Sequence, residues 1–299
     1  MYLPNLILVE PRIIESRGWI FVFNLEGMDE MLVQVEYCGV CGQLSKFTIA
    51  DNSRLLREAV CDNCGASVRN SDVAREVASA VRGFRGGKVL LTRLGSSLAE
   101  NCSEMAAFHI LEAAAYGPIN AHLRNLPHYV SFEYLDGVRP GSFCGEIRCE
   151  DLQELTFEDE LFDLVISQDV IEHIAYPDKC FREINRVLKP GGKHIFSVPY
   201  HPLIKTQDRR SRKKVYHGDP NRKEGALVYT DWGNDITMII DRFGMQTTQI
   251  ECHRFHEDNE ISDLDLEYED YLRLAPLEFY RYNSVVFVSQ KISNLAKIP

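Results

Sequence analysis

Four cysteines stand in two pairs, Cys38-Gly-Val-Cys41 and Cys61-Asp-Asn-Cys64, with 19 residues between the pairs. Two C-x2-C knuckles at about this separation have the spacing of a structural zinc centre. The two-residue gap lets both thiolates of a knuckle face one ion, and Gly39, Gly42 and Gly65 permit the tight turns. Four sulfurs close the tetrahedron and leave no open position for a water nucleophile. The expected ion therefore serves folding and not catalysis. Free thiols or a redox pair are the alternatives. Cys102, Cys144, Cys149, Cys180 and Cys252 are scattered and read as small core or surface residues.

A second set of candidates lies where apolar runs end. FHILEAAA carries Glu112 and leads through Ala113 and Ala114 to Tyr116-Gly117-Pro118. YVSFEYL carries Glu133, 21 residues beyond Glu112, and a third run reaches Glu150-Asp151-Leu152. The run DLVIS opens onto Gln168 and Asp169. In an open α/β sheet a ligand lies beyond the carboxyl ends of the strands, where the strand order reverses. A carboxylate about 20 residues after a glycine-bearing turn is placed to accept hydrogen bonds from a ribose diol. Ordinary solvated strand-end acids are the plainer alternative. His173, His201 and His217 are candidate bases for an acceptor hydroxyl, with His173 first because it follows Glu172 beside this run.

The elements that must position these groups are legible in part. MLVQVEYC alternates as a strand entering the first knuckle, and residues 71–83 read as a helix with Ser71 as its N-cap. From about residue 86 strands alternate with helices, the pattern of a parallel sheet covered on both faces. Strands are expected at 107–113, 129–135, 146–150, 162–168, 193–199, 245–255 and 283–292. Helices are expected at 117–126, 178–188 and 230–242, with Lys189-Pro190-Gly191-Gly192 ending the second of these. The domains then divide as a zinc-binding module at 1–70, a helical connection at 71–105 and a larger α/β domain at 106–299.

Residues 162–199, FDLVISQDVIEHIAYPDKCFREINRVLKPGGKHIFSVP, carry the most specific signature. The EH pair, RVLKPGG and the closing S-x-P stand in the register of the class I S-adenosylmethionine-dependent methyltransferases, which this chain resembles. The resemblance implies a Rossmann-like sheet of seven strands with helices on both faces, behind a small zinc-ribbon-like module. It implies S-adenosyl-L-methionine as cofactor. Glu112, Ala113, Ala114 and Gly117 would then form the first cofactor loop and Glu133 would hold the ribose. Asp151 and Leu152 would hold the adenine, and Gln168 and Asp169 would close the methionine side. The loop AAAYGP keeps only Gly117 of the glycines usual there, a departure that bears on cofactor affinity. The sulfonium already activates its methyl group, so the protein mainly aligns acceptor and donor.

Residues 204–223 carry eight basic side chains against Asp208 and Asp219, whereas residues 256–270 carry eight acidic ones and no Lys or Arg. Solvated loops are the plain reading of both runs. The sharper one makes 204–223 a lid whose Arg209, Arg210, Tyr216 and His217 meet an anionic, small or carrier-linked acceptor. The stretch 256–280 reads as an acidic insertion. With 45% apolar and 26% charged residues in 299, a chain of this composition buries a real core. A net charge of −11 counts against holding nucleic acid through overall charge. No apolar run reaches 18 residues, and MYLPNLILVEPR lacks the basic flank of a secretory signal, so a cytoplasmic protein is expected. The leading expectation is methyl transfer to a hydroxyl of a sugar or metabolite. An rRNA or other nucleic-acid methyltransferase and a catalytically silent cofactor-binding scaffold are the alternatives.

Overall fold

The computed structural model describes residues 15–16, 19–20, 33–48, 56–82, 107–219, 222–253 and 283–292. The acidic run at 256–270 and residues 83–105 of the connection expected at 71–105, Cys102 among them, lie outside these residues.

The first five strands are β1 (Glu15–Ser16), β2 (Trp19–Ile20), β3 (Val33–Tyr37), β4 (Leu44–Thr48) and β5 (Val60–Cys61). They form one sheet in sequential order, with a 3₁₀ turn at Leu56–Glu58 just before β5. Helix α1 (Val68–Arg82) follows and starts three residues earlier than its N-cap signal suggested. Asn70, not Ser71, makes the early turn contacts: its side-chain oxygen accepts from the Ser67 N–H and hydroxyl, both at 2.9 Å. Ser71 is instead buried within the helix, and its hydroxyl accepts from the Gly39 N–H at 2.8 Å.

The central sheet is built from β6 (Ile110–Glu112), β7 (Tyr129–Glu133), β8 (Phe143–Cys144), β9 (Ile147–Cys149), β10 (Phe162–Gln168), β11 (Leu188–Ser197), β17 (Met245–His253) and β18 (Asn283–Lys291). Its order is β17-β18-β11-β10-β6-β7-β9-β8. The five strands from β9 to β11 run parallel, and β8, β18 and β17 are antiparallel additions. Seven of the eight strands coincide with expected runs. The eighth is the two-residue β8, which folds back on β9 around Gly145 at φ 62°. The order reverses between β6 and β10, so the carboxyl ends of these strands flank a switch-point crevice.

Two expected elements differ. Helix α3 (Pro177–Val187) ends before Lys189-Pro190-Gly191-Gly192, and those residues belong to β11. They form a bulge, because Phe162 pairs with Leu188 and Leu164 already pairs with Lys193. Gly191 takes φ 79°, and a Cβ on Gly192 would stand 2.9 Å from the Lys189 carbonyl oxygen. The glycines are thus spent on a bulge and not on a helix cap. The helix expected at 230–242 is split. Thr230–Gly233 forms strand β16, whose Thr230 and Trp232 are buried, and only Ile236–Asp241 is helical (α4). The remaining helix, α2 (Pro118–Leu123), begins directly after Gly117, with proline at its first position.

The expected lid is a structured wall. It contains β13 (Gln207–Asp208), β14 (Tyr216–Asp219) and the first two residues of β15 (Arg222–Leu227), while β12 (Tyr200–His201) precedes it. Strand β16 pairs with both β12 and β13, and β14 pairs with β15 as a hairpin. One apolar core joins the cysteine module to the sheet. It runs from Cys38, Val40 and Phe47 through Val73, Val77 and Val81 to Ile110, Leu164, Ile195 and Val286. A second core lies under α3 against β10, and a third packs Phe181, Trp232 and Ile236 against Phe196 and Phe287.

Candidate active site

Beyond the carboxyl ends of β6, β7, β9 and β10 lies a cavity of about 1550 Å³. That exceeds the roughly 300–1,000 Å³ usual for one drug-sized ligand, so a nucleoside cofactor and an acceptor fit together. Ala113, Ala114, Gly117, Glu133, Asp151, Leu152, Gln168 and Asp169 all line it, as do His173, His201, Arg209, Tyr216 and His217. Glu112 does not. Its buried carboxyl accepts a 2.5 Å hydrogen bond from the Tyr129 hydroxyl behind the wall, and burial raises it to about 8. Arg210 is the other exception, lying outside the lining and paired with Asp208 on the surface.

The cofactor-side acids are braced by backbone donors. Glu133 accepts from the Ala115 N–H at 2.9 Å, which fixes it against the loop of Gly117. Burial raises its carboxyl from the ordinary range, and that N–H opposes the rise. Asp151 accepts from the Gln153 N–H at 2.8 Å, a local turn that fixes the carboxylate in the cavity lining. Gly117 takes φ 121° with open space where a Cβ would stand, so the loop presents bare backbone to a ligand.

The methionine-side residues are held from an unexpected quarter. Asp169 takes φ 50°, an uncommon conformation for a residue with a side chain, and turns into the cysteine module. Arg57 of the Leu56–Glu58 turn donates to its Oδ1 at 2.7 Å, Arg69 of α1 stands 3.3 Å away, and the Ser197 hydroxyl donates at 3.0 Å. Burial opposes its charge, but the two guanidiniums outweigh that and hold the carboxyl below the usual range. Asn70 of α1 donates to Gln168 Oε1 at 2.8 Å. Arg57, Arg69 and Asn70 also line the cavity. Sequence reading missed these three because nothing local in residues 56–70 points to a contact 98 to 112 residues away.

His173 sits in a 3₁₀ turn after β10, and its Nδ1 lies 2.9 Å from the Leu227 carbonyl oxygen. Burial lowers the His173 and His217 imidazoles, and each meets the other edge to face at 5.2 Å. His217 is aimed inward by the β14–β15 hairpin, whose register shifts between His217 and Asp219. The close approach there needs Gly225, at φ 82°, because a Cβ would fall 2.2 Å from the His217 carbonyl oxygen. His201 is buried and lowered to about 4 by that burial. Arg209 pairs with Asp231 at 2.6 Å and so braces β13 against β16. Away from the cavity, the Sγ atoms of Cys38, Cys41, Cys61 and Cys64 lie within 4.8 Å of one another.

Residues 133–196, from the end of β7 to β11, match the methyltransferase domain family. A sterol 4-C-methyltransferase of Caenorhabditis elegans is 39% identical over 72 residues, 24% of this chain and 20% of that protein. The ubiquinone/menaquinone biosynthesis C-methyltransferase of Vibrio vulnificus is 33% identical over 102 residues, 32% of this chain and 37% of its own length. The chain thus spans well under half the length of these curated relatives. Among solved structures, the YcgJ protein of Bacillus subtilis aligns with 68% of this chain and all of its own, at 15% identity and a TM-score of 0.38. The stretch from β7 to β11 thus matches a methyltransferase domain, the enzyme class to which both of these curated relatives belong.

Proposed function

We propose that this protein transfers the methyl group of S-adenosylmethionine to an oxygen of a small polar acceptor. The observation that carries the reading is the convergence of Glu133, Asp151, Gln168 and Asp169 from the ends of successive strands on one switch-point cavity. In that reading Glu133 receives the ribose hydroxyls, while Asp151 and the Leu152 backbone receive the adenine. Asp169, held by Arg57 and Arg69, forms the floor near the sulfonium. His173, with Nδ1 donating to a carbonyl, presents Nε2 on the acceptor side of the cavity.

A polar acceptor suits this lining better than a sterol does, since His173, His201, His217, Glu172 and Tyr216 face the same space. The relatives' substrates differ from one another, and their names mention a sterol and a quinone. Nucleic acid is the less favoured partner. Arg209, Arg210 and Arg222 of the basic run are already paired with Asp231, Asp208, and Asp219 with Asp136. The anionic-acceptor reading of that run then rests on its lysines, Lys205, Lys213, Lys214 and Lys223.

In the same reading the four cysteines hold one structural zinc, and the module at 1–70 serves the domain at 106–299 through it. A tetrahedron with zinc–sulfur bonds of about 2.3 Å has edges of about 3.8 Å. Cys38–Cys64 at 3.8 Å and Cys41–Cys61 at 3.9 Å match that edge. Isothermal titration with S-adenosylmethionine and its demethylated product tests the core of the proposal. Saturable one-to-one binding of both is expected, and absence of binding would leave a cofactor-free scaffold as the better description.

A further inference from the structure

Glu172 is 1% exposed, and neither of its carboxylate oxygens accepts a hydrogen bond from any described residue. A buried carboxylate in that condition is costly unless something cationic meets it. The neighbouring charges do not supply the cation. Arg57 and Arg69 act on Glu172 electrostatically but are matched by Asp169 and Glu58, which take their contacts at 2.5–3.3 Å.

Two imidazoles converge on the same carboxylate. His173 Nε2 stands 3.6 Å and His217 Nδ1 stands 4.0 Å from Glu172 Oε1, and all three donor atoms lie within 4.8 Å of one another. A carbonyl can only accept, so the Leu227 contact places a proton on His173 Nδ1, and the neutral ring then carries a lone pair on Nε2. A lone pair thus faces a carboxylate oxygen with no hydrogen between them. A proton on Glu172 does not resolve this, because 3.6 Å is too long for an O–H···N bond. A metal ion does. Nitrogen and oxygen ligands at about 2.0–2.2 Å from one ion stand about 3.0–3.5 Å apart. Glu172 and His173 are already near that separation, and His217 reaches it by a small turn of a hairpin side chain.

We propose that Glu172, His173 and His217 form a second, three-ligand site for a divalent transition cation such as Mn²⁺, Fe²⁺ or Zn²⁺, open toward the cavity. Two imidazoles and one carboxylate are the donor set of open sites for such ions, whereas the four thiolates select zinc. Its role rests on the methyl-transfer reading. The open positions take the acceptor oxygen, the cation favours loss of the hydroxyl proton to solvent, and the O–CH₃ bond forms as the CH₃–S bond breaks. The sulfonium donor leaves as a neutral thioether, so charge and atoms balance.

Mn²⁺ is the probe, because the cysteine centre holds zinc in preference to it. Purified full-length protein with zinc in its cysteines is titrated with MnCl₂, without cofactor, and free Mn²⁺ is followed by electron paramagnetic resonance. One Mn²⁺ per chain is expected, with affinity at least about tenfold weaker in both Glu172→Gln and His217→Ala. Bound Mn²⁺ should also enhance water-proton relaxation, since open positions carry exchangeable water. No saturable Mn²⁺, or equal affinity in His217→Ala, overturns the site, and bound Mn²⁺ without relaxation enhancement overturns its open face. Circular dichroism of the His217→Ala protein, whose side chain is 40% exposed, checks that the variant is folded. Mn²⁺ binding in a protein that fails to bind S-adenosylmethionine would sink the methyl-transfer reading and leave the cation site standing.

Discussion

Glu133 and Glu112 show how much one position along a chain decides. Glu133 reaches the cavity with one oxygen held by the Ala115 N–H, so Glu133→Ala should leave ribose hydroxyls poorly paired. A loss of about 1–3 kcal/mol in cofactor affinity is expected by calorimetry. Unchanged affinity would remove Glu133 from the ribose. Glu112 is turned inward and raised to about 8, above the ordinary carboxyl range near 4.5. The folded state therefore holds a proton that the unfolded state has released between those values. Its contribution to stability is full below about pH 4.5 and is lost as pH rises through about 8, by an amount on the order of 3–5 kcal/mol. Glu112→Gln keeps the shape and removes the titration. Urea unfolding at pH 5 and pH 8 should show a smaller fall in stability for the variant than for the wild type. Spacing in the sequence placed both acids at strand ends, but whether a carboxyl faces ligand or core depends on Tyr129, which no spacing rule reveals.

At the scale of elements, period and length carried the reading where burial was two-sided. The run at 162–168, apolar at its centre from Leu164 to Ile166, coincides with β10 in the structure. The KPGG segment was legible as special but misplaced, because proline and glycine mark a helix end and a strand bulge by the same conformational freedom. Only the pairing of Phe162 with Leu188 and of Leu164 with Lys193 tells the two apart. The split of 230–242 has a similar origin, since Thr230 and Trp232 are fixed by β12 and β13 and not by local propensity. Gly192→Ala tests the bulge. Its Cβ would meet three backbone oxygens at 2.9–3.2 Å, from Lys189, Phe162 and Asp163, none of which can yield as a side chain does. A destabilisation of about 1–3 kcal/mol is expected in chemical unfolding. A helix cap there would tolerate alanine at Gly192 with little loss, because the left-handed residue is Gly191.

Across the whole molecule, the cysteine module and the methyltransferase domain share one core and one cavity. Buried Cys38, Phe47 and Ala66 belong to the same apolar cluster as Ile110, Leu164 and Val286. Arg57, between the knuckles, and Arg69 and Asn70, just after them, hold Asp169 and Gln168 at the end of β10. Division into separate domains at residue 70 is what composition suggests, but α1 begins at Val68 and packs on β11 and β18. Loss of the cysteine centre should therefore act at a distance. If the four cysteines hold zinc as proposed, Cys61→Ser removes one ligand and frees β5, which is only two residues long and follows the Arg57 turn. With Arg57 no longer anchored, Asp169 keeps Arg69 and the Ser197 hydroxyl, and a partly buried carboxylate left with one guanidinium in place of two is poorly compensated. The variant should bind S-adenosylmethionine at least about tenfold more weakly, although none of Cys38, Cys41, Cys61 and Cys64 lines the cavity. A shared core also predicts one cooperative thermal transition, shifted as a unit. If the lost metal contributes even about 3 kcal/mol, Tm falls by roughly 6–12 °C for a domain of this size. Calorimetry of wild type and Cys61→Ser, with zinc content measured on the same samples, tests both consequences. Two separate transitions, the upper one unmoved and cofactor affinity intact, would mean that the module and the catalytic domain fold and bind independently, and that Arg57 and Arg69 do not position Asp169 for the cofactor.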